Sequence, residues 1–197
     1  MKPSENSKPH LIIMIGIPRS GKSFFAEHFA DTFKAPIVSF DQLRNKIFNN
    51  PAFNDDEDEI ICKVADHMLD EVLKTKRTII YEGQTSLRAE RMAISKKARD
   101  AGYEPLFIWV QTETTAAMKR ALQPSVEKPA IDIDEFNIKL KRFSTPHKTE
   151  KAVVISGKHT YASQLKIILK HLIQPRTNEN EQVDIVRPRK NRGFLIR

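Results

Sequence analysis

The sequence predicts an α/β fold: a three-layer α/β/α sandwich with a mostly parallel five-stranded sheet and helices on both faces. Two observations carry this. Short apolar runs rich in Ile, Val and Phe alternate with longer segments of helical apolar spacing. The first apolar run, Leu11-Ile12-Ile13-Met14-Ile15, also opens directly into a glycine-bounded turn and then a helical pattern. Strands joined through intervening helices pair in parallel, because a parallel connection needs a crossover of a dozen or more residues.

The elements follow in order. Met1 to His10 is polar, holds two prolines and is expected to be disordered. Leu11 to Ile15 is strand one, with a helix to about Phe33. Ala35-Pro36-Ile37-Val38-Ser39-Phe40 is strand two, ending at Asp41, where Asp41-Gln42-Leu43-Arg44 opens a short helix. Asn49-Asn50-Pro51 breaks the pattern. The acidic run Asn54 to Glu59 then leads into a helix to about Lys74, its carboxylates suiting the positive helix N-terminus. Thr78 to Tyr81 is strand three, capped by Glu82-Gly83-Gln84-Thr85, and a helix covers about Arg88 to Ala101. Leu106 to Val110 is strand four, with Trp109 in the core. A helix at Thr114 to Leu122 gives way to the polar loop Gln123 to Pro129, and Asp132 to Phe143 is helical. Pro146-His147 forms a turn before strand five, Val153 to Ser156, and Tyr161 to Leu172 closes the domain.

The chain has 197 residues, enough for one such domain with a substantial core. Hydrophobic residues make up 40% and charged residues 29%, as in an ordinary globular chain. A single cysteine, Cys62, excludes an internal disulfide and suits a reducing, cytoplasmic location; its place in an amphipathic helix points to packing. The longest apolar stretch, Leu11 to Ile17, is far too short to cross a bilayer, so no membrane partner is expected. The net charge of +8 is unevenly spread. Arg187, Arg189, Lys190, Arg192 and Arg197 face no acidic residue between Ile185 and the last position, which leaves only +3 elsewhere. A basic segment of this kind suggests a polyanion, nucleic acid before membrane. The domain reading is therefore 1–10 disordered, 11–173 folded with a lid at about 119–132, and 174–197 a basic tail.

Gly16-Ile17-Pro18-Arg19-Ser20-Gly21-Lys22-Ser23 fits the phosphate-binding pattern G-x-x-x-x-G-K-[ST]. Residue frequencies give roughly one accidental match in a hundred chains of this length, and the strand before and helix after lower that further. The loop, Pro18, Arg19 and Ser20 included, is expected to bind a nucleoside triphosphate: Gly16 and Gly21 let backbone N–H groups meet phosphate oxygens. Lys22 supplies charge to the β- and γ-phosphates, and the Ser23 hydroxyl reaches a magnesium ion. In an open parallel sheet, ligands sit outside the carboxyl ends of the strands. Strand two delivers Asp41 there, as a proton acceptor for an attacking hydroxyl or as a helix N-cap. Strand three delivers Glu82, as a magnesium ligand or a solvated carboxylate. Arg44 binds an anion on the acceptor or forms a structural ion pair. Arg120, with Lys119 before the mobile loop and Lys128 within it, offers cations to a transferring phosphoryl group. The six histidines show no metal-ligand spacing, and the G-x-G-x-x-G dinucleotide pattern is absent.

From about Leu11 to Leu172 the sequence resembles the P-loop kinases related to bacteriophage polynucleotide 5′-kinase, a group that includes zeta-toxin-like and similar AAA-type domains. The carriers are Ile15 to Ser23, Asp41 to Arg44 and Ile79 to Gln84, with Lys139 to Pro146 and Val154 to Gly157 also similar. The resemblance implies ATP and Mg2+ as cofactors and a 5′-hydroxyl nucleic acid as acceptor. It also implies Asp41 as the base, Arg44 on the neighbouring phosphate, Gln84 as a further acceptor contact and Arg120 as the lid cation. A small-molecule acceptor, or a nucleotide-dependent nucleic-acid-binding module with weak or no transfer, are the alternatives. Three departures stand out: Arg19 where glycine is frequent, Glu82 where aspartate is usual, and Ala121-Leu122-Gln123-Pro124 where a second lid arginine is expected. Lys128 or a tail arginine would have to take that last role.

Overall fold

The computed structural model describes residues 8–124 and 130–173. The amino-terminal stretch 1–7, the loop centre with Lys128, and the basic segment with Arg187, Arg189, Lys190, Arg192 and Arg197 lie outside the described residues. The element order is β1 (His10–Ile15), α1 (Lys22–Phe33), β2 (Ile37–Ser39), α2 (Phe40–Ile47), α3 (Asp55–Leu73), β3 (Ile79–Glu82) and α4 (Arg88–Asp100). There follow β4 (Glu104–Gln111), α5 (Thr114–Ala121), α6 (Ile133–Arg142), a 3-10 turn (Lys148–Glu150), β5 (Val153–Ser156) and α7 (Tyr161–Ile173).

All five strands pair in parallel, in the order β2-β3-β1-β4-β5. β1 is central, and its side chains alternate between two cores. Leu11, Ile13 and Ile15 pack with Ala65 and Leu69 of α3, Ala98 of α4, and Tyr81 and Phe107. Ile12 and Met14 face the other way, onto Phe25, Ala26 and Phe29 of α1 and Ile168 of α7. Burial on both faces is why this strand reads as an unbroken apolar run. A third cluster joins Ile17 of the turn after β1 to Ala117 and Ala121 of α5 and Phe136 of α6. It ties the helices after β4 to the mouth of β1. Among the described residues no helix is long and apolar enough to cross a membrane.

Several boundaries differ from the sequence expectation, β3 and β4 by one or two residues at each end. β1 begins at His10, within the stretch read as disordered, because His10 pairs with Glu104 of β4. β2 is only three residues long, with Ala35 and Pro36 leading into it. The N-cap of α2 is Ser39 and not Asp41: the Ser39 side chain accepts from the Gln42 N–H, which places Asp41 in the first turn.

α4 is anchored by a fully buried ion pair that no sequence pattern predicts. The Arg91 Nε donates to Glu150 at 2.6 Å, and both side chains have 0% exposure. Arg91 also donates to the carbonyls of Thr85, Ser86 and Ser144 at 3.0, 3.1 and 3.0 Å. The Glu150 carboxylate accepts in addition from the His147 N–H at 2.7 Å. Burial pushes the Glu150 carboxyl up, but the Arg91 and His147 hydrogen bonds outweigh it and hold the group below the ordinary carboxylate range.

Candidate active site

β1 and β4 are adjacent, yet their following helices lead to opposite sides of the sheet, which opens a crevice outside their carboxyl ends. The loop Gly16 to Gly21 fills that place. It turns at Gly21 (φ 106°), which no side chain caps and which precedes the first residue of α1. No acidic residue lies in the first turn of α1 either, so its N–H groups and positive dipole end stay directed at the loop. Close packing requires Gly16: a Cβ there would stand 2.5 Å from Ser20 Oγ and 2.8 Å from the Val110 carbonyl. The Ser20 hydroxyl is itself buried with no hydrogen-bond partner among the described residues. Lys22 folds over the loop, its Nζ donating to the carbonyls of Gly16 and Ile17 at 3.0 and 3.1 Å. Backbone cradle, helix N-terminus and amine together fit a polyphosphate.

Ser23, at the start of α1, donates to Glu82 Oε1 at 2.6 Å, and Ser39 donates to Glu82 Oε2 at 3.3 Å. Glu82 is the last residue of β3 and is buried. Its longer side chain thus meets both the phosphate-loop hydroxyl and the cap of α2. A hydroxyl and a carboxylate held together are hard oxygen donors suited to magnesium.

Beside this pair, α1 and α2 bound a cleft of about 430 Å³ lined by Ser23, Glu27, Ser39, Asp41, Gln42, Asn45 and Lys46. Asp41 therefore opens onto the same space as the phosphate-loop serine. Across it, Arg19 adopts a left-handed conformation (φ 59°) at the loop tip. Burial lowers the affinity of its guanidinium for the proton, and the charge of Asp41 acts in the opposite direction. The two groups are within electrostatic reach.

Arg120 ends α5 over the loop. Its guanidinium makes long contacts to the carbonyls of Arg19 (3.4 Å) and Gly157 (3.3 Å). Thus Lys22, Ser23, Glu82, Asp41, Arg19 and Arg120 converge on one end of the sheet. Gln84 does not join them as closely: it is exposed and lies on the side of the Cys62 thiol of α3. Burial raises the pKa of that thiol.

Arg44 points away from the cleft. Its guanidinium is buried, donates to Glu57 at 2.8 Å, and pairs with Asp58 as well. The acidic start of α3 is thereby matched to α2. Glu57 also accepts from the Ala52 N–H (2.7 Å) and the Phe53 N–H (2.8 Å), and these bonds, with Arg44, hold its carboxyl below the ordinary range. A carboxylate whose folded-state pKa is depressed contributes stability in full above its unfolded value, and loses it as pH falls through the folded value. Urea unfolding between pH 7 and pH 3 is expected to show a steeper loss of stability for the wild type than for Glu57→Gln. Parallel profiles would show that Glu57 contributes nothing to the acid response.

Three contributors were invisible to sequence reasoning on residue types: Ser39, Thr112 and Thr85. Thr112 Oγ1 donates to the Ser20 carbonyl at 2.8 Å, and Thr85 Oγ1 donates to Met14 at 2.7 Å, fastening the phosphate loop to β4 and β1 to the turn after β3. Gly157, directly after β5, did carry a signal. A Cβ there would lie 2.0 Å from the Ser20 carbonyl, so only glycine lets this turn approach the loop.

Residues 11–141 match the model of a family described as an AAA domain. Solved structures share the fold. Kti12 of Chaetomium thermophilum, in complex with ADP-AlF3, is 17% identical, with 82% of this chain and 96% of that one covered at a TM-score of 0.62. The APS kinase CysC of Mycobacterium tuberculosis, in complex with AMPPNP and APS, is 14% identical over 84% and 98%, at 0.59. A gluconokinase of Sinorhizobium meliloti is 15% identical over 85% and 93%, at 0.58. At such identities the likeness is one of fold, that of the P-loop kinases. A search of curated protein sequences finds no match.

Proposed function

Since the chain belongs to the AAA-domain family and has the P-loop kinase fold, we propose that it is an ATP- and magnesium-dependent phosphotransferase that moves the γ-phosphate to a hydroxyl. The observation that carries this reading is the shared space: Ser23, bonded to Glu82 at 2.6 Å, and Asp41 line one cleft at the mouth of the phosphate loop. In this reading the loop N–H groups and Lys22 hold the triphosphate, and Ser23 and Glu82 hold Mg2+. The metal, when bound, neutralises phosphate charge. Asp41 accepts the proton of the acceptor hydroxyl and Arg120 offers positive charge from above the loop. The lone Cys62 accords with a cytoplasmic location.

The leading acceptor is the 5′-hydroxyl of a nucleic acid, in keeping with the basic segment Arg187 to Arg197. A small-molecule acceptor is the second reading. It draws support from Arg44, whose charge is already met by Glu57 and Asp58, and from the gluconokinase among the structural neighbours. A nucleotide-dependent binding module with little transfer is the remaining one.

The test uses γ-labelled ATP with 5′-hydroxyl RNA and DNA, their 5′-phosphorylated controls, and a pool of nucleosides and small alcohols. Label is expected on the 5′-hydroxyl oligonucleotides, absent from the blocked controls and lost with Lys22→Ala. Label only on a small molecule would establish the second reading. No label, with ATP binding intact, would leave the binding module.

A further inference from the structure

We infer that Lys46, and not Arg44, recognises an anionic group on the acceptor. The inference rests on the phosphotransferase reading and names the kind of acceptor that the cleft admits: a hydroxyl compound carrying a phosphate or similar anion.

Arg44 lies on the far side of α2 from the cleft. Withdrawing it would leave the buried Glu57 carboxylate without its cation, at a cost that an acceptor phosphate would have to repay. Lys46 is placed differently. It lines the cleft with Ser23 and Asp41, is exposed, and makes no hydrogen bond or ion pair with any described residue. Among the described residues lining that cleft it is the cationic one, another nearby cation being Arg19 at the loop tip, on the Asp41 side. The other charges there are the carboxylates of Asp41 and Glu27, the latter accepting from Gln42 Nε2 at 3.3 Å.

This distribution sets the orientation of an acceptor. An anion near Glu27 would be repelled, and one beside Asp41 would meet a carboxylate that already interacts with Arg19, whereas a neutral hydroxyl is acceptable there. Lys46 stands five residues further along α2, about 7.5 Å along the axis at 1.5 Å per residue. An acceptor with its hydroxyl at Asp41 and its anion at Lys46 satisfies both ends, and the wrong end would face like charge. A cation at the end of a helix also complements the dipole, but that benefit accrues on any face. Only the cleft-facing position contacts a ligand.

The experiment compares charged acceptors with their uncharged parents in two arms, using the full chain and Lys46→Ala. One arm uses adenosine 3′-monophosphate against adenosine, the other glycerol 3-phosphate against glycerol; the arm that responds separates a nucleotide from a small phosphorylated alcohol. In the responding arm, Lys46→Ala is expected to raise the KM of the charged acceptor about 10–100-fold, the range for losing a charge-assisted contact. The KM for ATP, the KM of the uncharged parent and turnover at saturating acceptor stay unchanged, and Lys46→Arg restores recognition. An equal effect on charged and uncharged acceptors, or none on either, overturns the inference. Should no acceptor be labelled, the phosphotransfer reading fails, and titration calorimetry of the same probes still decides on Lys46. Binding of a charged probe that Lys46→Ala abolishes supports its role; binding that is unaltered, or absent in the wild type, overturns it.

Discussion

Asp41→Asn is expected to lower turnover by roughly 10²–10⁴-fold, the usual range for removing a general base, while ATP affinity stays within about twofold. The asparagine keeps the size and hydrogen-bonding shape of the side chain but cannot take a proton at neutral pH. Two features of the fold limit collateral damage. α2 is capped by Ser39, so its start does not depend on Asp41. Glu82 keeps its bonds from Ser23 and Ser39. Arg19 loses a neighbouring negative charge, which can strengthen its attraction to phosphate and lower the KM for ATP slightly. The check is steady-state phosphate transfer alongside nucleotide binding measured without acceptor. Equal turnover by the variant and the wild type would remove Asp41 from the chemistry. Loss of ATP binding in step with turnover would make it a structural residue of the loop.

The largest effect on stability is expected at Arg91. Removing one partner of a fully buried ion pair costs about 3–5 kcal/mol, because the other charge stays behind uncompensated. Arg91→Ala does this to Glu150 and also strips donors from the carbonyls of Thr85, Ser86 and Ser144. Arg91→Lys is expected to recover little, since an ammonium cannot reproduce a planar fork that reaches a carboxylate and three carbonyls at once. The double variant Arg91→Met with Glu150→Leu should be distinctly more stable than Arg91→Ala, as it leaves no stranded charge. Urea denaturation of the three variants and the wild type tests the ordering. Because Arg91 grips the turn that carries Thr85, and Thr85 holds the Met14 carbonyl, weaker nucleotide binding is expected to accompany the loss of stability. A change below about 1 kcal/mol in Arg91→Ala would show that the pair is no better than apolar packing.

The chain's periodicity and one eight-residue motif were by themselves sufficient for a good deal. They determined the alternation of strand and helix, the parallel sheet with two covered faces, and the phosphate loop at the end of the first strand. Each is local: an apolar run such as Leu11 to Ile15 is buried on both sides wherever it pairs, and Gly16 and Gly21 permit the same turn whatever surrounds them. The convergence of Asp41 and Glu82 on that loop was also accessible, since the carboxyl ends of parallel strands lie on one edge of the sheet. What the side chains there bind was not accessible from spacing. Arg44 and Lys46 are two residues apart on one short helix, and the sequence reading singles out Arg44 as the anion ligand while passing over Lys46. Only the packing of α3 against α2 decided that Arg44 meets Glu57 and Asp58, which leaves Lys46 on the cleft. Likewise Arg91 and Glu150 are 59 positions apart, and nothing in either neighbourhood announces a buried pair. Ion pairs between distant segments depend on where the backbone brings them together, and burial then makes each partner indispensable to the other.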